Sequence, residues 1–100
     1  MSKSEVLRKD LESKSILKVG GAFDAMSAKL VENSGFDAVW AGSFAISATH
    51  ALPDASILTM TEFFDAASSM SSTCEIPIIA DCDTGYGGPS NVRHMVQKYE

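Results

Sequence analysis

Residues 75–87 read Glu75-Ile76-Pro77-Ile78-Ile79-Ala80-Asp81-Cys82-Asp83-Thr84-Gly85-Tyr86-Gly87. The first half of this stretch is continuously apolar after its opening glutamate, which is typical of a strand buried on both faces of a parallel sheet. The second half holds two aspartates and the first two of three closely spaced glycines, a composition that favours a tight turn. We therefore predict a strand over 75–81 with a polar loop at its carboxyl end.

Shorter strands and helices alternate with this strand along the chain. The patterns predict a strand over 15–19 that ends at Gly20-Gly21, a strand over 38–41, and helices over 2–13, from Asp24 to Gly35, after a Thr59–Glu62 capping box, and after Ser90. The second helix is predicted to turn Ala28, Leu30 and Val31 inward, and the third to present Phe63, Ala67 and Met70 on one face. Alternation of this kind implies parallel strands joined by right-handed crossovers. The predicted fold class is α/β, the N-terminal three βα units of a (β/α)8 (TIM-type) barrel, with a doubly wound open sheet as the alternative.

The predicted strands leave their outer edges without partners, and the last helix has no termination signal. We therefore expect residues 1–100 to be a partial (β/α)8 barrel domain that continues beyond residue 100. The segment from Gly42 to about Leu58 keeps no helical or strand period, and it is predicted to be a long connection.

The composition excludes several classes of protein. With 45% hydrophobic and 21% charged residues the chain is neither disordered nor a disulfide scaffold. A net charge of −5 without a basic cluster argues against binding to nucleic acid or to an anionic membrane. No apolar run approaches the roughly 20 residues of a membrane span, and the first residues lack a secretion signal. Two cysteines without metal-ligand spacing fit a reducing cytoplasm, the predicted location.

Two carboxylates, Asp81 and Asp83, follow the central strand with one residue between them. Alternation along a strand would place both on one side of the sheet, at the end that carries active sites in parallel α/β folds. Their mutual repulsion is relieved if a cation lies between them, and Mg²⁺ is usually held by one or two carboxylates with waters and substrate oxygens. The alternative is that both aspartates only cap the turn that follows.

The long connection contains the second candidate site. Gly42-Ser43-Phe44 follows a predicted strand and offers backbone N–H groups and a hydroxyl to an anionic oxygen. Asp54 lies further along the same connection and could act as a nucleophile, a base or a positioning group. Spacing alone favours the alternative, in which Asp54 after Pro53 stabilises an ordinary turn.

Five stretches, taken in order, resemble the phosphoenolpyruvate mutase/isocitrate lyase superfamily. They are Gly21–Ala28, Gly35–Ala38, Leu52–Asp54, Leu58–Glu62 and Ile79–Gly87. The pattern Asp-x-Asp-Thr-Gly-Tyr-Gly at 81–87 is the most specific of them. The resemblance implies a Mg²⁺-dependent (β/α)8 barrel that acts on a small α-keto acid or enol phosphate. It also implies a homo-oligomer, a dimer or tetramer with a swapped C-terminal helix.

The resemblance also implies roles for individual residues. Asp81 matches the carboxylate that binds the metal directly, and Asp83 matches one that reaches it through water. Asp54 matches a loop aspartate near the transferring phosphoryl group, and is the implied catalytic residue. Trp40 and Gly42-Ser43-Phe44 match the wall and the anion-binding turn that hold the substrate. Residues 41–44 depart from the Gly-Ser-Gly-Leu that is usual in the mutases at this point.

Trp40 and the turn at 84–86 resemble the branch of the superfamily that makes or breaks phosphorus–carbon bonds. The implied enzyme is a phosphoenolpyruvate mutase that interconverts phosphoenolpyruvate and phosphonopyruvate through a pyruvate enolate, whose oxygen Mg²⁺ would stabilise. Residues 53–58 and 91–100 resemble phosphonopyruvate hydrolase more closely, which makes hydrolysis to pyruvate and phosphate the first alternative. A C–C lyase of the isocitrate or methylisocitrate lyase type and a non-catalytic barrel module are further alternatives.

Overall fold

The structure is a computed structural model that describes residues 1–100. Its elements are α1 (Lys3–Ser13), β1 (Val19–Ala22), α2 (Ala25–Asn33), β2 (Ala38–Ala41), α3 (Ser43–Thr49), α4 (Met60–Thr73), β3 (Ile78–Ala80) and α5 (Pro89–Tyr99). The strands form one parallel sheet in the order β1-β2-β3. The predicted alternation of parallel strands with helices is therefore confirmed. No helix is both long and apolar enough to cross a membrane.

Strand β1 begins where the predicted strand over 15–19 was to end, so the predicted position is wrong. The observed strand includes Gly20 and Gly21, which the sequence pattern predicts to end it. Helix α2 lies so close to β1 that a Cβ on Gly20 would come within 2.7 Å of a Val31 methyl carbon. A glycine is needed inside this strand because the helix and the strand backbone approach each other closely.

The segment after β2 also differs from the prediction of an irregular connection. Residues Ser43–Thr49 form the short helix α3, with Ile46 and Ser47 buried. Its period is difficult to detect because it spans only two turns and consists largely of small residues. The irregular part of the connection is therefore shorter and lies over residues 50–59.

The core forms between the sheet and α4. The Thr59–Glu62 capping box is confirmed, and so is the buried face formed by Phe63, Ala67 and Met70. On α2, Ala28 is fully buried as predicted, whereas Leu30 is 61% exposed and does not face the core. Met70 and Ala28 belong to one apolar cluster that joins the sheet to both helices.

Two further expectations need correction at the carboxyl end of the chain. Strand β3 is half-buried rather than buried on both faces, because it is an edge strand with only β2 as a neighbour. Helix α5 is capped by Gly88, not by Ser90, and Pro89 occupies its first turn. Proline is suited to that position because its missing N–H has no partner there in any helix.

The carboxylate of Glu32 ties α2 to the segment that precedes β3. Its Oε2 accepts hydrogen bonds from the backbone N–H groups of Glu75 at 2.6 Å and Ile76 at 3.1 Å. Its Oε1 accepts a hydrogen bond from Lys29 Nζ at 2.7 Å. The hydrogen bond from Lys29, followed by the two backbone hydrogen bonds, lowers the pKa of Glu32 from 4.5 to about 2.

We expect Glu32→Gln to lower the melting temperature of the full-length protein at pH 7 and to weaken the dependence of that temperature on pH below 4.5. A carboxyl whose pKa is lowered in the folded state stabilises that state above pH 4.5, and this contribution is lost as the pH falls toward 2. The wild-type melting temperature should therefore fall more steeply over this range than that of the variant. Glu75→Gln is the matched control because it keeps the backbone donor. If the melting temperatures of wild type and Glu32→Gln fall equally with pH over this range, the pKa of Glu32 is not lowered in the folded state.

The isolated 100-residue polypeptide exposes more surface than its mass requires. Its accessible area is 6219 Å², whereas a compact monomer of this mass exposes about 5,500 Å². Strands β1 and β3 both have a free edge, and free edges favour association. We expect this polypeptide, prepared alone, to associate or to unfold without cooperativity. A monomer by light scattering that melts in one sharp transition would contradict this expectation.

Candidate active site

The carboxyl ends of the three strands meet at one edge of the sheet. Ala22 pairs with Ala41, and Ala41 pairs with Ala80, so the three strands end in register. A cleft of about 230 Å³ opens at this edge, and we call it the acidic cleft. It is lined by Gly21, Ala22, Trp40, Gly42, Ser43, Phe44, Ala45, Asp54 and Asp81.

Asp81 is held where β3 ends. Its backbone N–H donates to the carbonyl oxygen of Ala41 at 3.0 Å, which extends the sheet pairing by one residue. Its Oδ2 accepts a hydrogen bond from the backbone N–H of Ser43 at 3.2 Å, and the Ser43 hydroxyl oxygen lies 3.0 Å from the same atom. Its Oδ1 accepts the N–H of Asp83 at 3.0 Å. The sheet therefore fixes the position of the Asp81 carboxylate, and these donors fix its orientation.

The Asp81 carboxylate remains ionised under ordinary conditions. Partial burial by itself would raise the pKa of Asp81. The hydrogen bonds that the carboxylate accepts, above all those from the backbone N–H groups of Asp83 and Ser43, outweigh burial and lower the pKa below its usual value. An ionised, half-buried carboxylate that faces a cleft is suited to binding a cation.

Ser43 brings the two predicted site regions together. It is 3% exposed, and its hydroxyl lies 2.9 Å from Asp54 Oδ1 as well as 3.0 Å from Asp81 Oδ2. Two residues that are 27 positions apart in sequence thus place carboxylates around one oxygen atom. The predicted catalytic Asp54 and the predicted metal ligand Asp81 therefore line the same cleft.

Trp40 and Phe44 form the apolar part of the cleft. Trp40 is 41% exposed and Phe44 72% exposed, although both are large aromatic residues. A Cβ on Gly42 would come within 2.7 Å of the indole Nε1 of Trp40, so the glycine leaves the space that the ring needs. All of the predicted substrate-binding residues (Trp40, Gly42, Ser43 and Phe44) line the acidic cleft.

Asp83 is not placed as the sequence predicted. Strand β3 ends at Ala80, so strand alternation does not extend to Asp83, whose φ of 45° belongs to a turn. Its side chain lines a neighbouring cleft with Tyr86 and residues 56–60 instead of the acidic cleft. The role of Asp83 at a metal stays a prediction.

Two contributions to this site were not predicted from the sequence. Gly21 and Ala22 line the cleft from the end of β1, and the misplaced first strand concealed them. The Tyr86 hydroxyl donates to the backbone carbonyl oxygen of Asp81 at 3.3 Å. Burial, above all, raises the pKa of Tyr86, so this phenol stays protonated as a donor and supports the loop after β3.

The donor set of the acidic cleft fits Mg²⁺. No group of three or more His, Cys, Asp or Glu side chains is arranged as a closed metal cage in this chain. Mg²⁺ does not need such a cage, because it keeps several waters and is commonly held by one or two carboxylates and by substrate oxygens. Asp81 and Asp54 supply two carboxylates around one hydroxyl, which is a hard, anionic oxygen environment.

A parallel α/β sheet with an acidic cleft at the carboxyl ends of its strands is the arrangement found in α/β enzymes, whose active sites lie at this edge. The family model described as phosphoenolpyruvate phosphomutase matches residues 7–100. The chain belongs to this family.

Similar proteins include enzymes with different reactions. Phosphonopyruvate hydrolase from Variovorax sp. (strain Pal2) is 40% identical over 100 residues, which cover 100% of this chain and 34% of that protein. 2,3-Dimethylmalate lyase from Eubacterium barkeri is 40% identical over 101 residues, covering 100% of this chain and 35% of that protein. The chain thus spans about a third of the length of these relatives.

Solved structures confirm the fold. Phosphoenolpyruvate phosphomutase from Streptomyces platensis subsp. rosaceus superposes with a TM-score of 0.95 at 44% identity, covering 98% of this chain and 34% of that one. A phosphonopyruvate hydrolase in complex with oxalate and Mg²⁺ superposes with a TM-score of 0.95 at 39% identity, covering 99% of this chain and 35% of that one. The prediction of the N-terminal three βα units of a (β/α)8 barrel is confirmed.

Proposed function

We propose that this chain carries the metal-binding part of a Mg²⁺-dependent phosphoenolpyruvate mutase, which interconverts phosphoenolpyruvate and phosphonopyruvate. The observation that carries the proposal is the meeting of Asp81 and Asp54 on the hydroxyl of Ser43, in a cleft bounded by Trp40 and Phe44. Such a cleft offers a cation site, a second carboxylate and an apolar wall to one small anionic substrate.

Asp81 would hold the metal directly, and Asp83 would reach it through a water molecule. When bound, Mg²⁺ supplies positive charge that stabilises a negatively charged oxygen on a keto acid. Support for the metal comes from the oxygen donors of the cleft and from the hydrolase structure described with Mg²⁺ and oxalate. Oxalate is a small dianion with two carboxylate groups, so a site for it also suits an α-keto acid.

The remaining residues of the cleft would orient the substrate and exclude water. In the mutase reaction a phosphoryl group leaves carbon and bonds to the enol oxygen of the same pyruvate skeleton, so no co-reactant is consumed. Trp40 and Phe44 would cover the pyruvate portion, and Asp54 would lie beside the phosphoryl group. Exclusion of water is necessary for transfer because water would otherwise accept the phosphoryl group.

The second candidate function is phosphonopyruvate hydrolysis, favoured by the 40% identity to the Variovorax hydrolase over the whole chain. In that reaction water forms a bond to phosphorus, the carbon–phosphorus bond breaks, and a proton completes the methyl group of pyruvate. Both candidate reactions use the same metal and the same pyruvate portion. They differ only in which oxygen accepts the phosphoryl group.

One assay separates these candidates. The full-length protein is incubated with phosphonopyruvate and Mg²⁺, and the products are followed by phosphorus NMR. Formation of phosphoenolpyruvate from phosphonopyruvate, and of phosphonopyruvate when the reaction starts from phosphoenolpyruvate, supports the mutase. Orthophosphate with equimolar pyruvate supports the hydrolase. If neither appears, cleavage of 2,3-dimethylmalate tests the lyase alternative. Mg²⁺-dependent binding of oxalate without any turnover would indicate a non-catalytic module.

A homo-oligomer is also part of the proposal. Large apolar side chains outside the acidic cleft are exposed, among them Leu11, Ile16, Met26 and Leu30. Burying such side chains against another copy of the chain would remove apolar surface from water. Light scattering of the full-length protein should give a dimer or a tetramer, and a monomer at micromolar concentration would contradict this part.

A further inference from the structure

The Ser43 hydroxyl has two acceptors and only one proton. Its oxygen lies 2.9 Å from Asp54 Oδ1 and 3.0 Å from Asp81 Oδ2. A hydroxyl group donates a single hydrogen bond, so at any moment one of these carboxylates receives the proton and the other faces a lone pair. Which carboxylate receives the proton decides what Ser43 does.

The two carboxylates differ in their other donors. Asp81 accepts hydrogen bonds from the backbone N–H groups of Ser43 and Asp83 whether or not the hydroxyl donates to it. The Asp54 side chain has the Ser43 hydroxyl as its one hydrogen-bond partner in this structure. Asp54 is exposed, so water also reaches its carboxylate, but no other protein group donates to it. Since Asp81 keeps two N–H donors when the hydroxyl turns away, we place the proton toward Asp54, where it makes the one hydrogen bond between that carboxylate and the rest of the protein.

The Asp54 segment has few other attachments. At its start, the N–H of Leu52 donates to the carbonyl oxygen of Ser47 in α3 at 3.1 Å, and between Pro53 and Leu58 the one backbone hydrogen bond joins the N–H of Ala55 to the carbonyl oxygen of Pro53 at 2.9 Å. Leu58 is buried and anchors one end, whereas Ile57 is 52% exposed. A segment of this kind opens locally at low free-energy cost unless side chains hold it.

We propose that Ser43 is a positioning residue, whose hydroxyl donates to Asp54 and thereby holds residues 52–58 over the acidic cleft. The role of Asp54 in turnover rests on the proposed function, but the tether itself does not. The buried start of α3 is fixed by the hydrogen bond from the backbone N–H of Ser43 to Asp81, so Ser43 transmits the position of the sheet edge to a segment without regular structure. Residues 42–44 would then contact substrate through backbone N–H groups and Phe44, not through the Ser43 hydroxyl.

The tether is tested by native-state proteolysis of the full-length protein with thermolysin, which cleaves before exposed Ile and Leu. Cleavage within residues 52–58 is followed by mass spectrometry. We expect Ser43→Ala and Asp54→Ala each to accelerate it by about fivefold or more, as loss of a hydrogen bond to a charged group implies. The double variant should be no faster than either single variant. Ser47→Ala, at the other buried serine of α3, is the matched control and should cleave at the wild-type rate.

Asp54→Asn provides a second line of test that does not depend on a change at a buried position. Asparagine keeps a side-chain oxygen that can accept the hydroxyl, so its cleavage rate should stay near that of wild type while Asp54→Ala is faster. Equal rates for these two variants, or effects of Ser43→Ala and Asp54→Ala that multiply in the double variant, would overturn the proposal.

Activity adds an independent readout. If the wild type turns over phosphonopyruvate, Ser43→Ala should lower kcat about fivefold or more with little change in KM, because Asp54 is mispositioned while the substrate is still bound. If the wild type shows no turnover but the double variant is cleaved no faster than the single variants, the proposed function is wrong and the tether stands. If the wild type shows turnover but the effects of the two single variants on cleavage multiply in the double variant, only the tether is wrong.

Discussion

Replacement of Asp81 by alanine should abolish Mg²⁺ binding and lower turnover of the full-length protein by at least about a thousandfold. The loss of metal charge at the substrate oxygen is worth several kcal/mol, and each 1.36 kcal/mol is a factor of ten in rate. The fold should survive, because the Asp81 side chain bonds only to Ser43 and to the backbone of Asp83. Calorimetry with Mg²⁺ measures the affinity, and circular dichroism checks the fold.

Asp83→Ala is the matched comparison for this experiment. Its carboxylate follows the same strand but lines the neighbouring cleft, and a contact to the metal through water changes affinity or activity by about 10- to 100-fold. We therefore expect a smaller loss than for Asp81→Ala. Retained Mg²⁺ affinity in Asp81→Ala would overturn the assignment of Asp81. An equal or larger loss in Asp83→Ala would show that the two aspartates share the metal more evenly than their positions in the two clefts indicate.

Replacement of Asp54 by asparagine should lower turnover by about a hundredfold or more. A carboxylate that takes part in proton transfer or directly assists the reacting group contributes about 10²- to 10⁴-fold. The folded state should lose less than about 1 kcal/mol, because Asp54 is exposed and asparagine can still accept the Ser43 hydroxyl. Initial rates with phosphonopyruvate and Mg²⁺, together with melting curves of both proteins, give the comparison.

Asp65→Asn controls for the change in net charge, since Asp65 is an exposed residue of α4 outside the acidic cleft. It should keep the wild-type rate. If Asp54→Asn is as active as Asp65→Asn, Asp54 is only a turn residue, and the similarity to the superfamily does not extend to its function here. If both variants lose activity equally, the effect comes from charge and not from position.

Local patterns predicted most elements of the fold for identifiable reasons. The Thr59–Glu62 capping box and the buried face of α4 were predicted correctly, because both depend on residues three or four positions apart. Strand β1 was misplaced, since the glycines in it are explained only by the approach of α2. A pattern in one segment contains no information about how closely another segment approaches it.

Residue patterns alone indicate the α/β class, the similarity to the superfamily, and the identities of the candidate site residues. These follow from short-range periodicity and from motifs in which the residues are near neighbours. The folded arrangement of the chain brings Asp54 and Asp81 to the hydroxyl of Ser43 and places Asp83 in the neighbouring cleft. The physical reason is that parallel pairing brings the ends of β2 and β3 together, and that the turn after Ala80 interrupts strand alternation. The sheet register and the turn conformation therefore decide which carboxylates lie close together, and neither can be read from the positions of the residues in the sequence.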